Sequence, residues 1–282
     1  MTENNIQNDS EYSDDAETFC ANILNTSKSS FNSVGLRFLN ADKRRAICAL
    51  YAFCRLIDDA VDNAVNTDSA REHLNVWHKR LFNIENDEHP VCKELFWAIS
   101  HFSLNKEYLN DILKGVAMDL TPPNFPDFKA LENYCYHVAS AVGLLIAQIL
   151  GYTDQKTEKY AYDLGIALQL VNILRDVKED QERHRSYIPL NFLAEHQDFK
   201  AMCAALASES ERFFDSALSV YKNLPKEDQE NQKFGLFLGA IYYALLQKIK
   251  RQGFPVMEKR VRVGAFAKLC AALRIFVFGQ LR

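Results

Sequence analysis

Apolar residues recur at helical spacing along nearly the whole chain. Ala46, Ile47, Ala49, Leu50, Phe53 and Ile57 mark one stripe, and Leu168, Leu170, Val171, Ile173 and Leu174 flank another. The prolines (Pro90, Pro122, Pro123, Pro126, Pro189, Pro225 and Pro255) all fall between such segments, and no Asn-Gly or Asp-Gly pair marks a hairpin. This punctuation predicts helices over about 40–64, 68–86, 91–103, 106–120, 127–150, 155–183, 199–223, 227–251 and 260–280, joined by short loops. Asn40 is suited to cap the first of these, because its side-chain oxygen can accept from a backbone N–H of the first turn. The stretch from Tyr134 to Gly151 is apolar nearly all round, which places it inside a bundle. Several such helices around one space would enclose an oily cavity.

With 282 residues, 48% of them hydrophobic, the chain can bury one sizeable core. The expected organisation is an acidic disordered tail over residues 1–17 followed by a single all-α domain over 18–282. The tail carries Glu3, Asp9, Glu11, Asp14, Asp15 and Glu17 without a Lys or Arg, the opposite of a targeting leader. A net charge of -4 and the lack of a dense basic block argue against nucleic acid as a partner. The seven cysteines are scattered without a metal-type spacing and read as small buried hydrophobes in a reducing, cytoplasmic setting. No uninterrupted apolar run reaches the roughly 18 residues of a membrane span. The nearest, Val138 to Leu150, contains Ser140 and Gln148.

The chemistry lies in two polar stripes set among apolar neighbours. Tyr51, Arg55, Asp58 and Asp62 share one helix face, and Gln169, Asn172, Asp176 and Asp180 share another. Carboxylates four residues apart on a helix repel by roughly 0.2–0.5 kcal/mol, and by more where water is scarce, so two such pairs call for a cation. Magnesium suits them, since it takes oxygen ligands and bridges a few carboxylates to substrate phosphates. A diphosphate held there would leave an allylic carbon as a delocalised cation within a dry cavity. Arg55, Arg183 and Arg185 would add charge-assisted hydrogen bonds to phosphate oxygens, and Tyr134 and Tyr187 further ones. Solvated faces and structural ion pairs also produce Asp-rich turns. Two stripes with amide partners favour a site. His73, His78, His101 and His137 have no spacing that pairs them as metal ligands.

At these residues the chain resembles the squalene and phytoene synthase family, whose members join two prenyl diphosphates head to head. The resemblance spans roughly residues 27–270 and rests on Tyr-Ala-Phe-Cys-Arg-Leu-Ile-Asp-Asp-Ala-Val-Asp at 51–62, Tyr-Cys-Tyr-His-Val-Ala-Ser-Ala-Val-Gly at 134–143 and Leu-Gln-Leu-Val-Asn-Ile-Leu-Arg-Asp-Val-Lys-Glu-Asp at 168–180. It implies an isoprenoid synthase bundle around a central apolar cavity. It also implies that Asp58, Asp62, Asp176 and Asp180, with Asn172, hold Mg2+ and diphosphate, with Asp59 secondary. Tyr51, Arg55, Tyr134 and Gln169 would place the substrates, aided by Arg183, Arg185 and Tyr187 before Pro189 and by Tyr242 and Arg260. Ser30 and Phe31, in Lys28-Ser29-Ser30-Phe31, would complete the substrate-binding set.

Within the family the compact length, Arg44-Arg45-Ala46 and the basic, apolar C-terminus look most like the bacterial presqualene diphosphate synthases of squalene and hopanoid pathways. That likeness implies two farnesyl diphosphates as substrates, no NADPH, and a downstream squalene-forming enzyme as a partner. No dinucleotide fingerprint is present. Ser27 stands where many dehydrosqualene-forming relatives have His, and Asn32 where many relatives have a second aromatic, which bears on how the second substrate is held. Phytoene synthases share nearly every motif, so phytoene or dehydrosqualene formation is the alternative. A class I terpene cyclase and a non-catalytic binding protein rank below it. The C-terminal helix sets Arg260, Arg262, Lys268, Arg274 and Arg282 among Phe266, Leu269, Leu273, Ile275, Phe276, Val277 and Phe278. It reads equally as a core helix with a basic side or as a peripheral contact with the inner face of a membrane.

Overall fold

The computed structural model describes residues 16–27, 34–121, 123–195 and 198–278, and among them there are helices and no strand. The chain runs through α1 (Ala16–Thr26), α2 (Ala41–Asp62), α3 (Thr67–Phe82), α4 (Pro90–Phe102), α5 (Glu107–Met118), α6 (Phe128–Cys135) and α7 (Ala141–Leu150). It continues through α8 (Lys156–Glu182), α9 (Leu190–Glu195), α10 (Phe199–Lys222), α11 (Lys226–Asn231), α12 (Lys233–Arg251) and α13 (Ala265–Phe278). Asn40 caps α2 as its position suggests, accepting from the Lys43 amide at 2.8 Å, and Asn66, Asp127 and Asp198 cap α3, α6 and α10 in the same way.

The departures from the expected elements have physical causes. Cys20 and Leu24 bury α1 against α2 and α4, although its short apolar stripe is weak in sequence; its first two residues reach into the stretch read as tail. The expected helix over 227–251 is broken at Gln232. Its buried side chain turns inward there, donating to the carbonyls of Ala147 and Gly151 at 3.2 and 3.1 Å. The last helix begins at Ala265 rather than 260. Helix α9 was not expected; its amides at Leu190 and Asn191 donate to Phe125 and Pro126 carbonyls.

The expected helix over 127–150 is continuous but contains a π-helical turn, Tyr136–Ser140. By length and composition Phe128–Leu150 would cross a membrane, yet 56% of its apolar window is buried in the bundle, as befits a core helix. It packs on α8 through Gly165, where a Cβ would stand 2.5 Å from Ser140 Cα. Ser140 Oγ then donates to the Tyr162 carbonyl at 2.7 Å.

Asp228, fully buried, ties α11 to the loop before α8 by accepting from the amides of Thr153 and Asp154, both at 2.8 Å, and from the Thr153 hydroxyl at 3.1 Å. These donors outweigh burial and hold its carboxyl below the ordinary value. Asp228→Ala strands two buried amides and is expected to cost about 3 kcal/mol. Chemical denaturation would read this as a lower midpoint at unchanged slope.

Candidate active site

Helices α2, α8, α12 and the α6–α7 rod surround one cavity of about 950 Å³. Tyr51, Arg55 and Asp58 line it from α2, Gln169 and Asn172 from α8, and Tyr242 from α12; Arg260 joins them from the following loop. Tyr51, Arg55 and Asp58 of the first stripe and Gln169 and Asn172 of the second therefore face a common space, with Asp59 beside them, whereas Asp62, Asp176 and Asp180 are not among its lining residues. Below them the walls are apolar, with Leu50, Cys54, Val138, Val142, Leu164 and Leu168 among the lining side chains. The π-helical turn matters here, because the extra residue in its ring rotates Val138 and Ala139 onto the lumen.

Arginines neutralise two of the four principal aspartates. Asp62 accepts from Arg183 Nη1 at 2.5 Å and Arg185 Nη1 at 2.9 Å. The left-handed turn at His184 (φ 58°) lets both arginines point back at α2. Asp176 is held by Arg175, whose Nε donates at 2.8 Å, and by Arg260 Nη2 at 3.0 Å. Arg55 pairs with Asp59 at 2.7 Å. The cations expected on phosphate thus rest on carboxylates, with Arg183 and Arg185 bridging α2 to the end of α8.

The other two aspartates carry repulsion that nearby arginines relieve only in part. Asp58 opens to the lumen yet is hemmed in by protein; burial first, then the charges of Asp62 and Asp119, push its carboxyl up to about 7. Asp180 is pushed up to about 7 by burial and then by Asp176, against the pull of Arg185. Asn172, which lines the cavity, has its Oδ1 buried without a hydrogen-bond donor, while its Nδ2 donates to Gln169 Oε1 at 3.2 Å. The raised Asp58 carboxyl and the orphaned Asn172 amide oxygen, from two residues that line the cavity, are oxygen donors of the kind a hard divalent cation takes. Among the described residues no three His, Cys, Asp or Glu side chains are gathered closely enough to enclose an ion outright.

Asp119 is a site residue that sequence reasoning missed. It ends α5 and accepts from Tyr134 at 3.0 Å and Tyr187 at 2.8 Å, so both tyrosines expected on substrate are anchored to one carboxylate. Burial raises its carboxyl above the ordinary value, although both phenols oppose the shift. Arg175 was also missed, since neighbours in sequence do not share a helix face and its guanidinium has to reach round to Asp176. Ser30 and Phe31 lie outside the described residues. Ser27 lines the cavity and donates to the Leu24 carbonyl at 2.7 Å.

Comparison with known proteins gives the same answer as the motifs. The chain is 33% identical over 284 residues to a presqualene diphosphate synthase of Zymomonas mobilis, covering 95% of each. It is 33% identical over 265 residues to a 15-cis-phytoene synthase of Enterobacter agglomerans, covering 86% of this chain and 89% of the other. A crystal structure of a dehydrosqualene synthase superposes with a TM-score of 0.82 at 23% identity, over 93% of this chain and 96% of that one, which shows the fold to be shared. The squalene/phytoene synthase family model matches residues 25–267, and with polar residues of both stripes lining one cavity, this chain belongs to that family.

Proposed function

We propose that the protein is a magnesium-dependent head-to-head prenyltransferase that condenses two farnesyl diphosphates to presqualene diphosphate, releasing one diphosphate and one proton. The observation that carries this is one cavity lined by Asp58 from α2 and by Asn172 from α8, with apolar side chains over much of the rest of its walls. Asp58, Asp62, Asp176 and Asp180, with Asn172, would hold Mg2+, which when bound neutralises the departing diphosphate. Arg183 and Arg185 then leave Asp62 for phosphate oxygens, exchanging one charge-assisted pair for another. Tyr51, Arg55, Gln169, Tyr242 and Arg260 line the space in which the substrates react and position them. The apolar walls keep water from the allylic cation. Asp119 fixes Tyr134 and Tyr187 by holding both hydroxyls.

Phytoene formation is the second reading, favoured by the equal identity to the 15-cis-phytoene synthase. Incubation of the purified protein with labelled farnesyl diphosphate and magnesium, with and without reduced nicotinamide, is expected to give presqualene diphosphate in both cases by mass spectrometry. Product from geranylgeranyl diphosphate alone would move the reading to phytoene synthesis. Product carrying the carbon of one substrate would make it a cyclase. Chelation of the metal is expected to abolish diphosphate release, and added Mg2+ to restore it.

The reading extends to the setting. On α13, Phe266, Leu269 and Leu273 are exposed beside Arg274, and they would rest on an anionic membrane surface at the inner face of the cytoplasmic membrane. A water-insoluble product would leave there for a squalene-forming enzyme. All seven cysteines are free thiols, in keeping with a reducing cytoplasm. Unchanged recovery of the protein in the supernatant after mixing with anionic vesicles would count against the membrane contact.

A further inference from the structure

The rod formed by α6, the π-helical turn and α7 is tied to α5 at two carboxylates, and only one of them belongs to the site described above. Asp119, at the end of α5, accepts from Tyr134 at 3.0 Å, and Asp111, earlier on the same helix, accepts from Tyr136 at 2.7 Å. The two carboxylates stand eight residues apart, about 12 Å along α5 at about 1.5 Å per residue. The two tyrosines are only two residues apart, so they leave the rod about half a turn from each other. Bonds at two separated points, made from different sides of the rod, oppose its rotation about its own axis. One bond alone would leave it free to roll.

The outer tie is closely built. Gly115 lets α5 approach the turn, since a Cβ there would stand 2.8 Å from both His137 Cβ and Val138 Cγ1. The Tyr136 ring leans on Tyr162 of α8 with centroids 5.8 Å apart, and Ser140 Oγ donates to the Tyr162 carbonyl at 2.7 Å, so α8 supports the same turn. Burial and then the Asp111 carboxylate push the Tyr136 phenol up, which keeps it a donor. Lys114 also pairs with Asp111 at 2.8 Å, but from solvent, its side chain being 63% exposed. His137 Nδ1 lies 4.0 Å from Asp111, too far for a hydrogen bond. Tyr136 is thus the group that joins this carboxylate to the rod. Neither Asp111 nor Tyr136 lines the cavity, whereas Val138 and Ala139, in the same turn, do. We propose that Asp111 and Tyr136 are positioning residues for the site: their hydrogen bond fixes the roll of the rod and thereby sets Tyr134, Val138 and Ala139 against the substrates. The proposal rests on the prenyl-transfer reading above and extends it to two residues outside the cavity.

The test uses the full chain with farnesyl diphosphate and magnesium, at a temperature well below the Tm of every variant. Tyr136→Phe and Asp111→Ala are each expected to lower kcat about tenfold or more with KM within about threefold, because a small misplacement acts on the reacting geometry more than on the hold on diphosphate. Asp111→Asn keeps an acceptor for the phenol and is expected to return kcat to within about threefold of wild type, as is Lys114→Ala, which removes only the ion pair at the surface. The double variant Tyr136→Phe/Asp111→Ala is expected to lose no more than either single one, since each breaks the same bond. Wild-type kcat in a folded Tyr136→Phe protein overturns the proposal, and so do additive losses or an Asp111→Asn protein as impaired as Asp111→Ala. Hydrogen exchange supplies a readout that needs no turnover: the amides of residues 136–140 are expected to exchange about tenfold faster in Tyr136→Phe than in wild type, and unchanged protection overturns the tie. If the wild type releases no diphosphate from any prenyl substrate yet Tyr136→Phe loosens those amides, the prenyl-transfer reading falls and the tie between α5 and the turn stands.

Discussion

Asp58→Asn is expected to slow diphosphate release on the order of 10²–10³-fold while the protein stays folded, because it removes one charge from a site that acts by electrostatic stabilisation. The choice of Asp58 follows from its surroundings. Asp62 and Asp176 already have guanidinium partners, whereas the Asp58 carboxyl is raised to about 7 by burial and by Asp62 and Asp119, and Arg55 offsets this only in part. Asn keeps the volume and one oxygen but cannot neutralise a cation.

The same substitution has a second signature. A carboxyl whose value in the fold lies above its ordinary 3.8 binds a proton in the folded chain that the unfolded chain has lost. Its contribution to metal-free stability is therefore highest at acid pH and declines as pH rises from about 4 to about 7. Water in the lumen screens the effect, so the expected change is a modest fall in Tm between pH 5 and pH 8 in metal-free protein. Added magnesium should reduce the fall, and Asp58→Asn should flatten it. Full turnover in the folded variant would refute the metal role assigned to Asp58, and a steeper loss of Tm would refute the repulsion.

Gly165→Ala is expected to be the most damaging single change away from the polar mouth. A Cβ there would lie 2.5 Å from Ser140 Cα and 2.8 Å from its amide nitrogen, both backbone atoms that cannot swing aside. Helix α8 and the π-helical turn would have to separate, at a cost of about 3 kcal/mol or more by overpacking. That turn carries Val138 and Ala139 into the cavity and follows Tyr134, so separation would also misplace the site. A Tm lower by several degrees, together with a fall in kcat, is expected. An unchanged Tm would mean that the close approach is not structural. Gly165→Ser would test the same contact with a group able to pair with the Ser140 hydroxyl.

How much of this was legible beforehand varies residue by residue. Tyr51, Arg55 and Asp58 on one helix and Gln169 and Asn172 on another share faces by helical repeat alone, so their convergence on one space was readable from spacing. The family motifs did the same for Tyr242 and Arg260. Asp119 was not readable: it stands alone after α5, and nothing local links it to Tyr134, 15 residues on, or to Tyr187, 68 residues on. Arg183 and Arg185 were found as site residues, but their resting place on Asp62, across more than 120 positions, was not.

The sequence by itself determined most of the helices, the Asn40 cap, the family and the two stripes, because each depends on interactions within a few residues: a 3.6-residue repeat, an oxygen within reach of an N3 amide, a fixed spacing of carboxylates. Only the tertiary structure decided which carboxylates are already neutralised and which repel, and that Val138 and Ala139, in a π-helical turn, line the cavity. Those outcomes depend on distances between elements far apart in the chain. Such distances follow from how every side chain in the core packs at once, so no local pattern records them.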